Sequence, residues 1–514
     1  MQEVSQAWKD AQKKHFVPEA FVEITMNVGD PESQADASAS DNGHEDYSNS
    51  SELTSTVTPA PEKFLTFEGG MWVLDGSFVA LENGQLAAGQ GYVGNTICDD
   101  NGFFADVIPT ITISFSKVFT DLIPGVTITW SNTYEEFAKK FRITAFANGE
   151  QTYQGEFEGS DVVSIVYADI DNYDTIKVEV LEWCLPQRRA RIENILVGII
   201  KTYKKSDLMN YQHKSTVDPL SAELPDEEIT FKVKNLNGEY NPDNPTGAEK
   251  YLMERQTLEV RYGYSISGKK EYISAGTFFM SEWETPQNGI EATFKARNFV
   301  EYMSDKYSGP NAGTLYDIAS SAFEQSGLPK MKDETDRWYI DEKLKNIDVP
   351  DGLDLSQYTN AEVLQYVANA ACCTIRQDRL GMVRIEPLAD GQTDYLIGKF
   401  VSYENSEISL TKQLKAVNVN DGQYVLSVGP IGETQPIDNP LISDSQAPVV
   451  AQWAADYLVN RKILSGSYRA DPRLDPLDRV INQNNFSENV VLITEIEFTF
   501  NGAFDGSYEG RAGV

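Results

Sequence analysis

Apolar and polar residues alternate with a period of two through most of this chain, a pattern that predicts strands. It is clear in AFVEITMNV (Ala20–Val28), TITISFS (Thr110–Ser116), GVTITW (Gly125–Trp130), KFRITAFANGE (Lys140–Glu150) and YDTIKVEVLEW (Tyr173–Trp183). It returns in ITFKVKNL (Ile229–Leu236), QTLEVRYGY (Gln256–Tyr264), EYISAGTFFMSEWE (Glu271–Glu284) and GIEATFKARNFV (Gly289–Val300). It closes the chain in VVLITEIEFTFNGAFDGSYEGRAG (Val490–Gly513). Helical spacing is confined to residues 1–15, GAEKYLMERQ (Gly247–Gln256), TLYDIASSAFEQSGL (Thr314–Leu328), TNAEVLQYVANAACC (Thr359–Cys373) and SQAPVVAQWAADYLVNRKI (Ser445–Ile463). Thr359 caps the fourth of these, and a glycine stops the third. TIRQDRLGMVRIEPL (Thr374–Leu388) reads as a hairpin that turns near Asp378–Gly381. The stretch from Gly29 to Lys63 is rich in Ser, Asp, Pro and Asn and reads as a long loop or linker.

The chain is therefore expected to be mainly β with a small α+β domain. Its expected division is an N-terminal helix, first strand and polar linker (1–61), a β-sandwich (62–192), a β-rich region (193–308), the α+β domain (309–398) and a second β-rich region (399–514). The 514 residues agree with about three or four domains.

Composition changes this picture at one point. Apolar content of 41% and charged content of 24% are ordinary for a folded soluble protein, but the formal net charge is −35. Such a surface repels phosphate, so no specific nucleic-acid binding is expected. No run approaches 18 apolar residues, and no membrane span is expected. The opening MQEVSQAWKDAQKKHF lacks an apolar core, so no secretory signal peptide is expected either. Four cysteines without a CxxC make no disulfide scaffold, and the adjacent Cys372 and Cys373 are expected as buried thiols.

Candidate chemistry is sparse. GYSISGKK (Gly263–Lys270) is close to a phosphate loop, but Lys270 stands where the Mg²⁺-binding hydroxyl belongs and strands flank it on both sides. A hairpin tip with two exposed lysines is the better reading. DIDNYD (Asp169–Asp174) starts like a calcium loop but lacks its glycine and its glutamate, so Asx turn chemistry explains it more simply. Only His15, His44 and His213 are available for a triad or a zinc site. No catalytic residue, metal ligand or cofactor is assigned. Trp72, in FEGGMWVLDGSF, and Trp130 are candidate glycan contacts, with Trp183 beside them. The competing reading places these tryptophans in the sandwich core.

Several segments together carry a resemblance. FKVKNLNGEYNP (Phe231–Pro242) with AGTFFMSEWE (Ala275–Glu284), then NAEVLQYVANAACCTIRQDRLGMVRIEPL (Asn360–Leu388), then a long helix followed by YRADPRLDPLDRV (Tyr468–Val480) and the terminal strands, resemble phage tail baseplate hub and tail-associated proteins. The resemblance covers about 195–514, with Ala20–Val28 as a displaced first strand. It implies two tube-like β-barrels, at 193–308 and 399–514, in a homotrimer whose six barrels continue the tail tube with pseudo-sixfold symmetry. It implies a virion tail baseplate location, assembly in the host cytoplasm, and as partners a tail tube or distal tail protein, the tape measure and tail spike or tip proteins. The sandwich at 62–192 is then an inserted, jelly-roll-like module that resembles a carbohydrate-binding module, with a host surface glycan as its candidate partner. YRADPRLDPLDRV becomes a barrel connection whose arginines pair with neighbouring carboxylates. The chain is expected not to be an enzyme, with wall degradation left to another protein. The rival readings are a carbohydrate-binding adhesin and a glycan-active cell-wall protein.

Overall fold

A computed structural model describes the chain apart from residues 1, 15–17, 55–62, 67, 70, 72–74, 76, 79–89, 245–246, 267, 287–288, 332–334, 390, 392–394 and 514. The chain is mainly β, as its alternation predicts. Among the described residues, twelve strands make two matching halves of one large sheet. The first half holds β1 (Ala20–Val28), β2 (Leu208–Thr216), β3 (Asp226–Lys234), β4 (Thr257–Ile266), β5 (Lys269–Glu284) and β6 (Glu291–Arg297). The second holds β7 (Leu396–Ile397), β8 (Glu407–Leu410), β9 (Lys462–Tyr468), β10 (Arg479–Gln483), β11 (Glu488–Phe500) and β12 (Phe504–Ala512).

Their spatial orders are β1-β4-β5-β6-β3-β2 and β7-β10-β11-β12-β9-β8. Each strand of the second half thus takes the place of the strand six earlier. One pairing differs in sense: β1 runs antiparallel to β4, whereas β7 runs parallel to β10. The expected barrels are also joined. β2 pairs antiparallel with β11 from Tyr211↔Phe500 to Thr216↔Glu495, and with a short strand, Ile199–Tyr203, on β1, the whole makes one 13-stranded sheet. Alternation puts Ile229, Phe231 and Val233 of β3 on the same buried face as Tyr262, Phe294, Ile496 and Phe498. Each such side chain contributes about 1.5–3 kcal/mol on leaving water.

The sandwich is larger than the composition suggests. Its five-stranded sheet runs Ser38–Asp41, Thr110–Phe119, Tyr173–Trp183, Ala138–Ala147 and Glu150–Glu158. A second sheet, of Asn194–Leu196, Ile123–Thr129 and Val163–Ile170, shares its apolar core. Residues 30–54, expected as linker, belong to this domain. Asp30 caps a short helix, Pro31–Asp36, Ser38–Asp41 pairs with Thr110–Phe119, and Ala39 and Leu53 are buried. Backbone pairing orders this stretch with very few apolar side chains, so hydrophobic alternation could not reveal it.

The sandwich sits inside a β-hairpin. The chain leaves β1 at Val28 and returns at Ile199, and these two residues are paired. Gly29 and Gly198 form the neck. Gln256 Nε2 donates to Gly29 O at 2.9 Å, and Thr127 Oγ1 donates to Gly198 O at 3.0 Å. Lys250 pairs with Asp169 at 2.9 Å, and the Tyr251 hydroxyl also bonds Asp169, which ties the sandwich flank to the first half. Lys250 and Tyr251 lie in a single 3₁₀ turn, Glu249–Tyr251, where helical spacing predicted a longer helix. The backbone is already extended at Leu252 (φ −77°, ψ 131°), which ends the turn, and it then reverses at Arg255 (φ 67°) to enter β4.

The α+β unit holds helices Leu315–Gln325 and Asn360–Ala370, each opened by a capping box, Thr314 with Asp317 and Thr359 with Glu362. They pack on a three-stranded sheet that contains the expected hairpin, Thr374–Gln377 with Val383–Glu386. The strands Leu414–Val419, Tyr424–Ser427 and Glu433–Ile437 and the helix Ala447–Leu458 lie beyond 399 in sequence. Their buried Val417, Val419, Ile437 and Val450 nevertheless pack in the same cluster as Leu315 and Leu364. Cys372 and Cys373 stand as free thiols after the second helix; burial pushes them up to about 11 and about 12.

Candidate functional site

YRADPRLDPLDRV is the place where four parts of the molecule meet. Asp471 and Arg473 are buried and paired, with Arg473 Nε 2.9 Å from Asp471 Oδ1. Arg379 arrives from the turn of the α+β hairpin. Its guanidinium pairs with Asp475 and donates to the carbonyls of Ser274 (3.1 Å), Leu474 (2.8 Å) and Pro472. Gln2, at the other end of the chain, donates to the second oxygen of Asp475 at 2.9 Å. Burial opposes the charge of Arg379, but Asp475 outweighs it and holds the guanidinium above its ordinary pKa. Burial and the neighbouring Asp475 charge raise the Asp478 carboxyl. Arg469 donates to the Gln12 and Lys14 carbonyls, and Arg479 to those of Ala389 and Gly391. Among the described residues the expected arginine–carboxylate pairing is seen at Arg473, and Arg469 and Arg479 also donate to backbone carbonyls. The segment is a structural clasp.

The seam between the halves is polar as well as apolar. His213 on β2 bonds Tyr262 OH at 2.7 Å through Nδ1 and Glu227 at 3.1 Å through Nε2. Tyr211 and Tyr262 hydroxyls lie 2.8 Å apart. Gln212 donates to Glu497 across the seam at 2.9 Å. His213, Tyr211, Tyr262 and Glu227 satisfy one another within the first half, and the Gln212–Glu497 bond crosses the seam and favours this register of β2 on β11.

The sandwich offers a shallow recess lined by Tyr47, Phe64, Val93, Tyr134, Arg191 and Glu193. Below it lies an ion network. Fully buried Glu68 pairs with Arg191, and Glu136 accepts from Arg188 Nε at 2.8 Å and from Trp183 Nε1 at 2.8 Å. Arg189 reaches Glu45 at 2.7 Å. The Arg191 guanidinium lies 4.6 Å from the centroid of the Tyr134 ring. Burial raises the Glu193 carboxyl, which accepts from Asn132 at 2.8 Å. Arg191 and Glu193 are buried and already paired, with Glu68 and Asn132, so the recess itself is walled mainly by Tyr47, Phe64 and Tyr134. The alternation did not single out these residues. The available signal was QRRARIEN (Gln187–Asn194), three arginines in four positions on a sandwich strand.

Trp130 is not part of this surface. It is fully buried, its Nε1 donates to Ser164 at 2.8 Å, and its ring packs against Phe141 and Trp183. It presents no ring face to a sugar, so the core reading replaces the glycan contact. Trp72 lies outside the described residues. GYSISGKK is the β4–β5 hairpin tip, with Lys269 and Lys270 exposed. In DIDNYD the chain turns at Asn172, which adopts φ 49°. Of the histidines, His213 serves the seam, His44 bonds Asp41, and His15 lies outside the described residues.

No family model and no curated protein matches the sequence. In structure the chain is similar to phage tail proteins. A 43 kDa tail protein of prophage MuSo2 from Shewanella oneidensis is 12% identical, with a TM-score of 0.42 over 60% of this chain and 94% of that one. A tail protein from Neisseria meningitidis MC58 is 12% identical, with a TM-score of 0.42 over 60% and 93%. A family 32 CBM from C. perfringens NanJ, solved with galactose, is 15% identical, with a TM-score of 0.20 over 35% of this chain and 99% of that one.

Proposed function

We propose that this chain is a structural virion protein, the hub of a phage tail baseplate or of a phage-tail-like particle. Three copies form a ring with sixfold-like symmetry that continues the tail tube. The observation that carries this reading is the repetition of one strand order in two halves zipped into a single sheet. Three such chains present six similar units, and closure of the ring covers strand edges that a lone chain leaves open. The partners in this reading are a tail tube or distal tail protein, the tape measure, and tail spike or tip proteins. A net charge of −35 suits a conduit for DNA, because an acidic wall denies phosphate the gain of counterion release. Native mass of the full chain, with imaging of the assembled particle, tests the reading. A trimer in a sixfold-like ring at the tail tip is expected, and a monomer at all concentrations would overturn it.

The recess favours a second role on the same molecule. The sandwich binds a surface glycan weakly, and three copies gain strength from their shared scaffold. Titration of the full chain with galactose and with host wall oligosaccharides tests this. Loss of binding in Tyr134→Ala is expected, and no binding to any of them would remove the role.

A further inference from the structure

The correspondence between the halves has a consequence for the free edges. β2 is held on both sides, by β3 and by β11. Its counterpart six strands later, β8, pairs with β9, and among the described residues it has no second partner. All four residues of β8 are exposed, Ile408 by 50% and Leu410 by 65%. A short exposed edge with apolar side chains is a template for another strand.

The other side of the seam has a counterpart too. β11 pairs with β12 along one edge, and its opposite edge is shared: β10 takes residues 488–492 and β2 takes 495–500. β11 corresponds to β5. There β6 takes one edge at residues 279–284, and β4 takes the opposite edge at 269–279. Among the described residues the end of β5, Ser281–Glu284, therefore has no strand on that edge, at the place where β11 receives β2.

We infer that β8 of one copy pairs antiparallel with the Ser281–Glu284 end of β5 in the next copy. This repeats between chains the seam that β2 and β11 make within a chain. The inference rests on the ring reading and names its contact. Because β8 and β5 belong to different halves, the contact is head-to-tail. Repeated around a threefold axis it alternates with the internal seam and closes the ring with six seams.

Two full-length variants test it, each checked for an unchanged unfolding temperature. In Ile408→Lys/Leu410→Lys, trimer should be lost at concentrations where the unaltered chain is fully trimeric. In Glu282→Cys/Leu410→Cys, mild oxidation should give a covalent closed trimer, with peptide mapping placing the bridge between 282 and 410 of different copies. A trimer that survives the lysines and gives no 282–410 bridge would overturn this junction and leave the ring standing. An unaltered chain that is monomeric throughout would overturn the ring and the junction with it.

Discussion

Gly198 packs against Gly29 so closely that a Cβ on Gly198 would lie 2.9 Å from the Gly29 Cα and 2.7 Å from the Val28 carbonyl oxygen. Gly198 also holds φ at +146°, where a side chain is strained in any space. These two residues are where the chain passes between the sandwich and the 13-stranded sheet. Gly198→Ala is expected to destabilise the protein by roughly 1–3 kcal/mol. Thermal unfolding should register the loss, and an unchanged unfolding temperature would show that the neck can open.

The pairing of Val28 with Ile199 predicts a clean excision. Deleting residues 30–197 joins Gly29 to Gly198 and leaves a two-residue Gly-Gly connection between paired strands, a length and composition that hairpins favour. The shortened chain is expected to fold and to assemble. Particles with intact tails but poor adsorption would assign the sandwich to host binding. Failed assembly would make it a baseplate part, and normal adsorption would remove its proposed role.

Arg379→Leu should cost about 3 kcal/mol or more, because it leaves Asp475 and three carbonyls without the donor they share. Arg379→Lys should recover little, since an ammonium cannot reach that many acceptors in a fixed plane. Denaturant unfolding of both variants checks this, and a Lys variant of full stability would contradict it.

The tether at Asp169 should depend on pH. Hydrogen bonds from Lys250 and Tyr251 hold its carboxyl below the usual aspartate range. A depressed folded pKa stabilises above the unfolded value, about 3.9, and that contribution is lost as pH falls through the folded one. The pair is half exposed, so the effect on global stability is small. Hydrogen exchange at residues 163–170 and 249–251, corrected for intrinsic rate, should therefore rise on acidification below about pH 4. The rise should be absent in Asp169→Asn, which is already without the charge.

Strands with a buried face were legible in the sequence, because alternation and burial have one cause. Ile229, Phe231 and Val233 follow the period, and so do Ile111 and Ile113. The β4–β5 tip at GYSISGKK and the hairpin at Asp378–Gly381 were legible from turn chemistry. Residues 30–54 were not, since Ser38–Asp41 is held by backbone bonds and by a single buried Ala39. The candidate glycan contact at Trp130 failed for a related reason. Aromatic residues announce burial and binding alike, and Trp130 answers to the first. The ion network beneath Tyr134 joins Glu68, Glu136 and Arg191, and a pairing over such sequence distances leaves only the arginines of QRRARIEN as a local trace.

The seam between β2 and β11 also sets an order of events during synthesis. Gln212 and its partner Glu497 are 285 residues apart. A ribosome adding about 5–20 residues each second needs roughly 15–60 s to cross that distance. For that time β2 has been made and its own partner has not. Neighbouring nascent chains on the same message carry the same strands, so a β11 from another copy competes for the waiting edge. Fidelity of assembly is then a race between completing a chain and meeting its neighbour, and slowing translation of the last segment should cost soluble protein before it costs anything else.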